Sequence, residues 1–213
     1  MKGVPLNETL YDYIVNTFAQ EDDILKDVVK GTEEKKIPLI QVSPELGKFL
    51  QLLIRMIKAK RVLEVGTLTG YSSIWMARAL PENGKLTTLE ISEEHAAEAK
   101  ENFKKAGLGG RIELILGSAG ESLDKLAGEK FDFAFIDADK TGYPGYFDKV
   151  IGMMCKGGII AADNTLRDGK ITDADPDEGT RSVDEYNKKT ASDPRVESML
   201  IPISDGLTIS FVK

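Results

Sequence analysis

The residues able to do chemistry in this chain gather in two short stretches. FIDADK (135–140) ends an apolar run and then sets Asp137, Asp139 and Lys140 within four positions. AADN (161–164) ends another such run on Asp163 and Asn164. Charges at the mouth of a buried strand cost desolvation energy unless something pairs with them. If the two strands are neighbours, about 5 Å apart, then Asp137, Asp163 and Asn164 converge. Two carboxylates and an amide offer only hard oxygens, a set suited to Mg²⁺ first, with Mn²⁺ or Ca²⁺ as alternatives. Alone, Asp163-Asn164 reads as a turn or capping pair; joined by Asp137, it reads as a metal site. A divalent ion there acidifies and orients two adjacent hydroxyls. Lys140 lies one short turn past Asp137, placed to act as general base on a hydroxyl.

A second constellation precedes these. The run RVLEV (61–65) leads into GTLTGYSS, so that Glu64, Gly66 and Gly70 form E-x-G-x-x-x-G. Glycines at a strand-to-helix turn let a ligand approach the main chain closely. The dinucleotide pattern G-x-G-x-x-G is not met, because Leu68 stands at its second glycine. Glu64 would repel a phosphate and accept hydrogen bonds from an ammonium group. Glu90 ends the next apolar run, where a carboxylate can take the hydroxyls of a ribose. A nucleoside carrying an amino-acid ammonium group, S-adenosylmethionine, satisfies all of these positions.

The elements that must position these residues follow from periodicity. Five apolar runs, RVLEV, LTTLEI (86–91), RIELIL (111–116), FDFAFI (131–136) and GGIIAA (157–162), alternate with helical segments at 71–80, 92–107, 119–127 and 145–155. Such alternation predicts a parallel sheet covered on both faces. Ser92 before two glutamates reads as a helix N-cap, and Gly107 as its stop. RVESMLIPI (195–203), Ser204-Asp205-Gly206 and LTISFV (207–212) read as a closing hairpin. The expected fold is α/β: a doubly wound, seven-stranded, mostly parallel sheet with the last strand antiparallel. One domain, 1–213, comprises helices over 1–58 packed on an α/β core over 59–213. Ser43-Pro44 starts the last N-terminal helix. Residues 167–179, polar and without period, read as a surface loop bordering the site.

Composition removes several classes. A net charge of −7 gives no broad basic surface for nucleic acid or anionic lipid. No stretch reaches the roughly 20 apolar residues of a membrane helix, and no signal peptide is visible. The single cysteine, Cys155, excludes an intrachain disulfide; beside Met153 and Met154 it reads as an inert thiol on a core-packed helix. His95, the only histidine, reads as exposed on its helix, which gives zinc little support. A cytoplasmic protein is expected.

The motifs E-x-G-x-x-x-G-Y-S, G-S-A at 117–119, F-I-D-A-D-K and A-x-D-N occur in the order found in the cation-dependent O-methyltransferases. The chain resembles that family, which includes caffeoyl-CoA and catechol O-methyltransferases and their bacterial relatives, from about Leu6 to Phe211. The resemblance implies a Rossmann-like methyltransferase fold and cofactor contacts from Val42, Glu64, Gly66, Thr67, Ser72, Glu90, Gly117, Ser118, Ala119, Asp137 and Asp139. It also implies a metal on Asp137, Asp163 and Asn164, with Lys140 as general base. The expected acceptor is a vicinal dihydroxy-aromatic: a catechol, caffeoyl or flavonoid-like small molecule. A homodimer is expected, with no nucleic-acid or membrane partner. One departure stands out: plant members tend to carry an aromatic residue where NTLRDG places Arg167, and an arginine favours an anionic acceptor. The rival readings are an NAD-linked oxidoreductase, which lacks its glycine pattern here, and a methyltransferase for a non-catechol small molecule.

Overall fold

The computed structural model of the chain describes residues 6–213. Three helices come first: α1 (Glu8–Phe18), α2 (Asp23–Glu34) and α3 (Pro44–Met56). Asn7 and Asp22 cap α1 and α2 by accepting from the amides of Leu10 and Leu25, each at 3.0 Å. The alternating core follows as β1 (Arg61–Val65), α4 (Tyr71–Ala77), β2 (Lys85–Glu90), α5 (Glu93–Lys105), β3 (Ile112–Leu116), α6 (Ala119–Lys125) and β4 (Phe131–Ile136). It continues through α7 (Tyr143–Met153), β5 (Met154–Ala162), α8 (Glu178–Ser192), β6 (Val196–Ile201) and β7 (Leu207–Val212).

The strands form one seven-stranded sheet in the order β3-β2-β1-β4-β5-β7-β6. β7 alone runs against the rest, antiparallel to both β5 and β6. The expected sheet, including its reversed last strand, is therefore present. Alternation along β4 explains the two covered faces. Phe133 and Phe135 pack with Leu46, Leu50, Ile54, Trp75 and Phe103, which places α3, α4 and α5 on one side. Ala134 and Ile136 pack with Leu123, Phe147, Val183 and Tyr186, which places α6, α7 and α8 on the other. The N-terminal helices α2 and α3 thus share the core of the first face.

Register delivers the site. Ile136 pairs with Ala162, so Asp137 and Asp163 emerge side by side at the carboxyl ends of adjacent strands. Hydrogen bonding continues past the strand ends: the Asp163 amide donates to the Ile136 carbonyl at 3.0 Å, and the Asp137 amide to the Val65 carbonyl at 2.9 Å. Ligands of open α/β sheets collect at that edge.

Two sequence expectations need correction, and one helix was missed. Cys155 lies in β5, half-buried, because the strand starts at Met154 rather than at the glycine pair. Residues 167–179 are not one loop: Arg167–Thr172 forms short helical turns broken by left-handed backbone at Asp168 and Gly169, and α8 starts at Glu178 behind its Asp177 cap. The sequence reading had no counterpart for α8.

Candidate active site

The turn after β1 is held open by backbone that only certain residues tolerate. Gly66 has φ of 100°, and a Cβ there would lie 1.9 Å from the Asp137 carbonyl oxygen. Glycine therefore lets the mouths of β1 and β4 lie against each other. The turn is fixed from β2. Glu90 accepts from the amides of Thr67 at 3.3 Å, Leu68 at 2.8 Å, Ile91 at 3.0 Å and Ser92 at 2.9 Å. Thr67 adds a hydroxyl bond to the Leu89 carbonyl at 3.0 Å.

Beneath this turn Glu64 is fully buried. Ser72 donates to its Oε1 at 2.5 Å, and Ser73 donates to its Oε2. Burial pushes the Glu64 carboxyl up to about 7, against the lowering effect of those hydroxyls. Ser72 itself faces a cavity of about 890 Å³, which is the size of a small-molecule site. Val42, Gly66, Thr67, Glu90, Gly117, Ser118 and Ala119 line one part of that cavity; Asp137, Asp139, Lys140 and Asn164 line another. The sheet edge thus brings the two sequence constellations into one chamber. Glu64 and Asp163 stand behind its wall.

At the mouth of β4, Lys140 Nζ donates to Asp137 Oδ1 at 2.9 Å and to the Tyr143 hydroxyl at 2.8 Å. The Tyr143 hydroxyl in turn donates to the Asp163 carbonyl at 2.9 Å. Burial, reinforced by the charges of Asp137 and Asp163, holds the Tyr143 phenol well above its usual range, so it stays a donor. Asp139 accepts from the Gly142 amide at 3.0 Å and from the Tyr146 hydroxyl, which fixes the turn carrying Lys140.

Asp163 is only 3% exposed, and its Oδ1 has no hydrogen-bond partner. Burial first, and the Asp137 charge second, raise its pKa. A buried carboxylate oxygen without a donor, facing a second carboxylate, is a position that a cation satisfies. Among the described residues no three His, Cys, Asp or Glu side chains converge on one point. Asn164, whose left-handed backbone (φ 55°) sets it at the cavity wall, is the other oxygen donor at this edge and could add its amide oxygen to the two carboxylates. This all-oxygen donor set fits Mg²⁺, Mn²⁺ or Ca²⁺.

A family model described as O-methyltransferase matches residues 15–212. The chain belongs to the O-methyltransferase family. It is 40% identical to the catechol O-methyltransferase of Niastella koreensis, over 97% of each chain. It is 34% identical to a caffeoyl-CoA O-methyltransferase of Nicotiana tabacum, over 98% of this chain and 92% of that one. Among solved structures, the Bacillus cereus O-methyltransferase in complex with SAH superposes with a TM-score of 0.92 at 35% identity, covering 96% of this chain and 97% of that one. TomG of Streptomyces achromogenes, in complex with SAM, gives a TM-score of 0.90 at 33% identity, covering 96% of each chain.

Several residues of this O-methyltransferase's chamber were not found from sequence. His95 is not an exposed helix residue: it lines the cavity with Nδ1 3.6 Å from Glu90 Oε1. Its place in the first turn of α5, just after Glu90, was the available signal. Tyr143, buried behind the wall and bonded to Lys140, had no reading from sequence. Asp205, in the β6–β7 turn, reaches the cavity through a contact of long sequence separation, which no local pattern announces.

Proposed function

We propose that this enzyme moves the methyl group of S-adenosylmethionine to one hydroxyl of a vicinal dihydroxy-aromatic acceptor. A divalent cation, Mg²⁺ first, is held by Asp137, Asp163 and Asn164, and Lys140 is the general base. The observation that carries this reading is the junction of the Lys140–Asp137 pair with the partnerless Asp163 Oδ1, beside a glycine turn braced by Glu90. The names of the relatives, catechol and caffeoyl-CoA O-methyltransferases, and the SAH and SAM complexes of the similar structures support it.

When bound, S-adenosylmethionine supplies an electrophilic methyl group, and a divalent cation supplies a Lewis acid that makes neighbouring hydroxyls more acidic. The chain does the rest. Gly66 and Thr67 let the amino-acid end of the cofactor lie against main chain, with the Glu64–Ser72 pair underneath. Glu90 keeps the turn rigid at the ribose end, and Gly117 to Ala119 border the base. Lys140 accepts the hydroxyl proton at Nζ; Tyr143 holds that nitrogen in place while its own proton stays on the phenol oxygen and is donated to the Asp163 carbonyl. The exposed apolar side chains of α1, Leu10, Tyr13 and Phe18, support the homodimer expected from the resemblance, which sedimentation velocity would read directly.

The test is transfer of a labelled methyl group to catechol. Activity should disappear with EDTA and return with Mg²⁺. Asp137→Ala should abolish it with an unchanged circular dichroism spectrum, and Lys140→Met should lower kcat on the order of 10²- to 10⁴-fold. Turnover that ignores EDTA would remove the cation from this reading. Stabilisation by NAD but not by S-adenosylmethionine in thermal unfolding would favour the oxidoreductase instead.

A further inference from the structure

We propose that Arg167 selects acceptors that carry a carboxylate on or close to the dihydroxy-aromatic ring, an inference that rests on the acceptor reading just given. Arg167 lies three residues past Asn164 and shares the cavity wall with Asn164 and Lys140. Among the described residues its guanidinium makes no ion pair and donates no hydrogen bond, and its Nε is buried without a partner. Buried donors in folded chains are nearly always satisfied, so an orphaned guanidinium nitrogen at a cavity wall points to a partner that enters from the cavity.

None of the carboxylates around it pairs with its guanidinium, although Asp168 and Asp205 share its cavity wall. Asp205 accepts from the Asp168 amide at 2.6 Å. Asp177 caps α8, accepting from the Thr180 amide at 2.8 Å and its hydroxyl at 3.0 Å. Asp168 is exposed.

The backbone around Arg167 is strained and yet pinned. Arg167 and Asp168 take left-handed φ values of 55° and 54°, conformations that cost non-glycine residues energy and cluster at functional sites. The β6–β7 turn holds this shape. The amide of Thr165 donates to the Gly206 carbonyl at 3.0 Å, and that of Leu166 to the Asp205 carbonyl at 2.9 Å. The loop therefore fixes where the Arg167 side chain leaves the backbone at the cavity wall, and a planar fork of donors matches a carboxylate bidentately. Lys140 and Asn164 line the same cavity as Arg167. An anion meeting Arg167 is thus borne near the reacting ring, which favours a ring carboxylate over the distant phosphates of a thioester carrier.

The experiment compares 3,4-dihydroxybenzoate with 3,4-dihydroxybenzamide and with caffeoyl-CoA, in the wild type, Arg167→Gln and Arg167→Lys. The benzoate should exceed the amide in kcat/KM on the order of 10- to 100-fold, mostly through KM. That ratio should fall to about one in Arg167→Gln and be partly kept in Arg167→Lys. Equal turnover of benzoate and amide by the wild type overturns the inference alone, whether or not a variant folds. A ratio that survives Arg167→Gln overturns it too, as does a preference for caffeoyl-CoA over the benzoate. Absence of methyl transfer to every catechol overturns the acceptor reading, and this inference with it.

Discussion

Glu64 sits where water cannot reach, and the hydroxyls of Ser72, Ser73 and Thr88 offset only part of the loss of its hydration. Its carboxyl therefore holds a proton to about pH 7, against 4.5 in an unfolded chain. Between those values the folded state binds the extra proton, so stability falls as pH rises. The contribution is complete below about pH 4.5 and lost through pH 7; it amounts to roughly 3 kcal/mol. Glu64→Gln cannot ionise and should flatten that part of the profile. Urea unfolding of the ligand-free protein at pH 5 and pH 8 measures it. A variant whose stability tracks the wild type at both values would mean that Glu64 is already ionised in the fold. An ammonium group of S-adenosylmethionine reaching toward Glu64 favours the charged form, so the cofactor should stabilise the wild type more at pH 8 than at pH 5.

In the proposed reading two turns divide the work of the chamber, one for each ligand, and both leave no room for a Cβ. A Cβ on Gly66 would strike the Asp137 carbonyl at 1.9 Å; one on Gly206, with φ of 86°, would come within 2.6 Å of Leu166 Cγ and 2.8 Å of its backbone nitrogen. Gly66→Ala should weaken S-adenosylhomocysteine binding by at least about tenfold, since strained or displaced backbone costs roughly 1–3 kcal/mol. Gly206→Ala should instead raise the acceptor KM several-fold with S-adenosylhomocysteine affinity within about twofold. Calorimetry and steady-state kinetics separate the two, and equal effects of both substitutions on both ligands would erase the division. The first turn was legible in sequence, because Glu64, Gly66 and Gly70 are local and border a bounded apolar run. So were the strand ends bearing Asp137 and Asp163, since β4 and β5 stop where the apolar residues stop. The second turn was recognised as a hairpin but not as part of the site: the bonds from Thr165 and Leu166 to Gly206 and Asp205 join segments about forty residues apart. Helix α8 escaped for another reason. Its buried Val183, Tyr186 and Thr190 are spaced as a helix face but diluted among lysines and acids, and only tertiary packing reveals the pattern.

The whole chain closes on the chamber through its N-terminal third. Thr32 of α2 meets Thr69 at 2.8 Å between hydroxyl oxygens, Tyr71 donates to Glu21 at 2.7 Å, and Arg78 pairs with Asp22 at 2.7 Å. These contacts fasten α2 to the β1–α4 region, while α3 is anchored in the core by Leu46, Leu50 and Ile54. The segment between the two helices is therefore tethered at both ends, and its Ile40, Gln41 and Val42 form part of the cavity wall. Val42 is buried, whereas Ile40 remains 71% exposed. The amides of Gln41 and Val42 donate no hydrogen bond to any described residue, so no internal hydrogen bond slows their exchange with solvent. A cofactor accepting from the Val42 main chain, or merely covering it, changes that. Addition of S-adenosylhomocysteine should slow hydrogen–deuterium exchange at residues 40–42 at least tenfold, together with the amides of Thr67 and Leu68. Protection confined to Thr67 and Leu68 would show the cofactor resting on the sheet edge alone. Protection at both places would make α2 and α3 the second jaw of the site, and would tie the stability of the N-terminal helices to cofactor concentration by mass action.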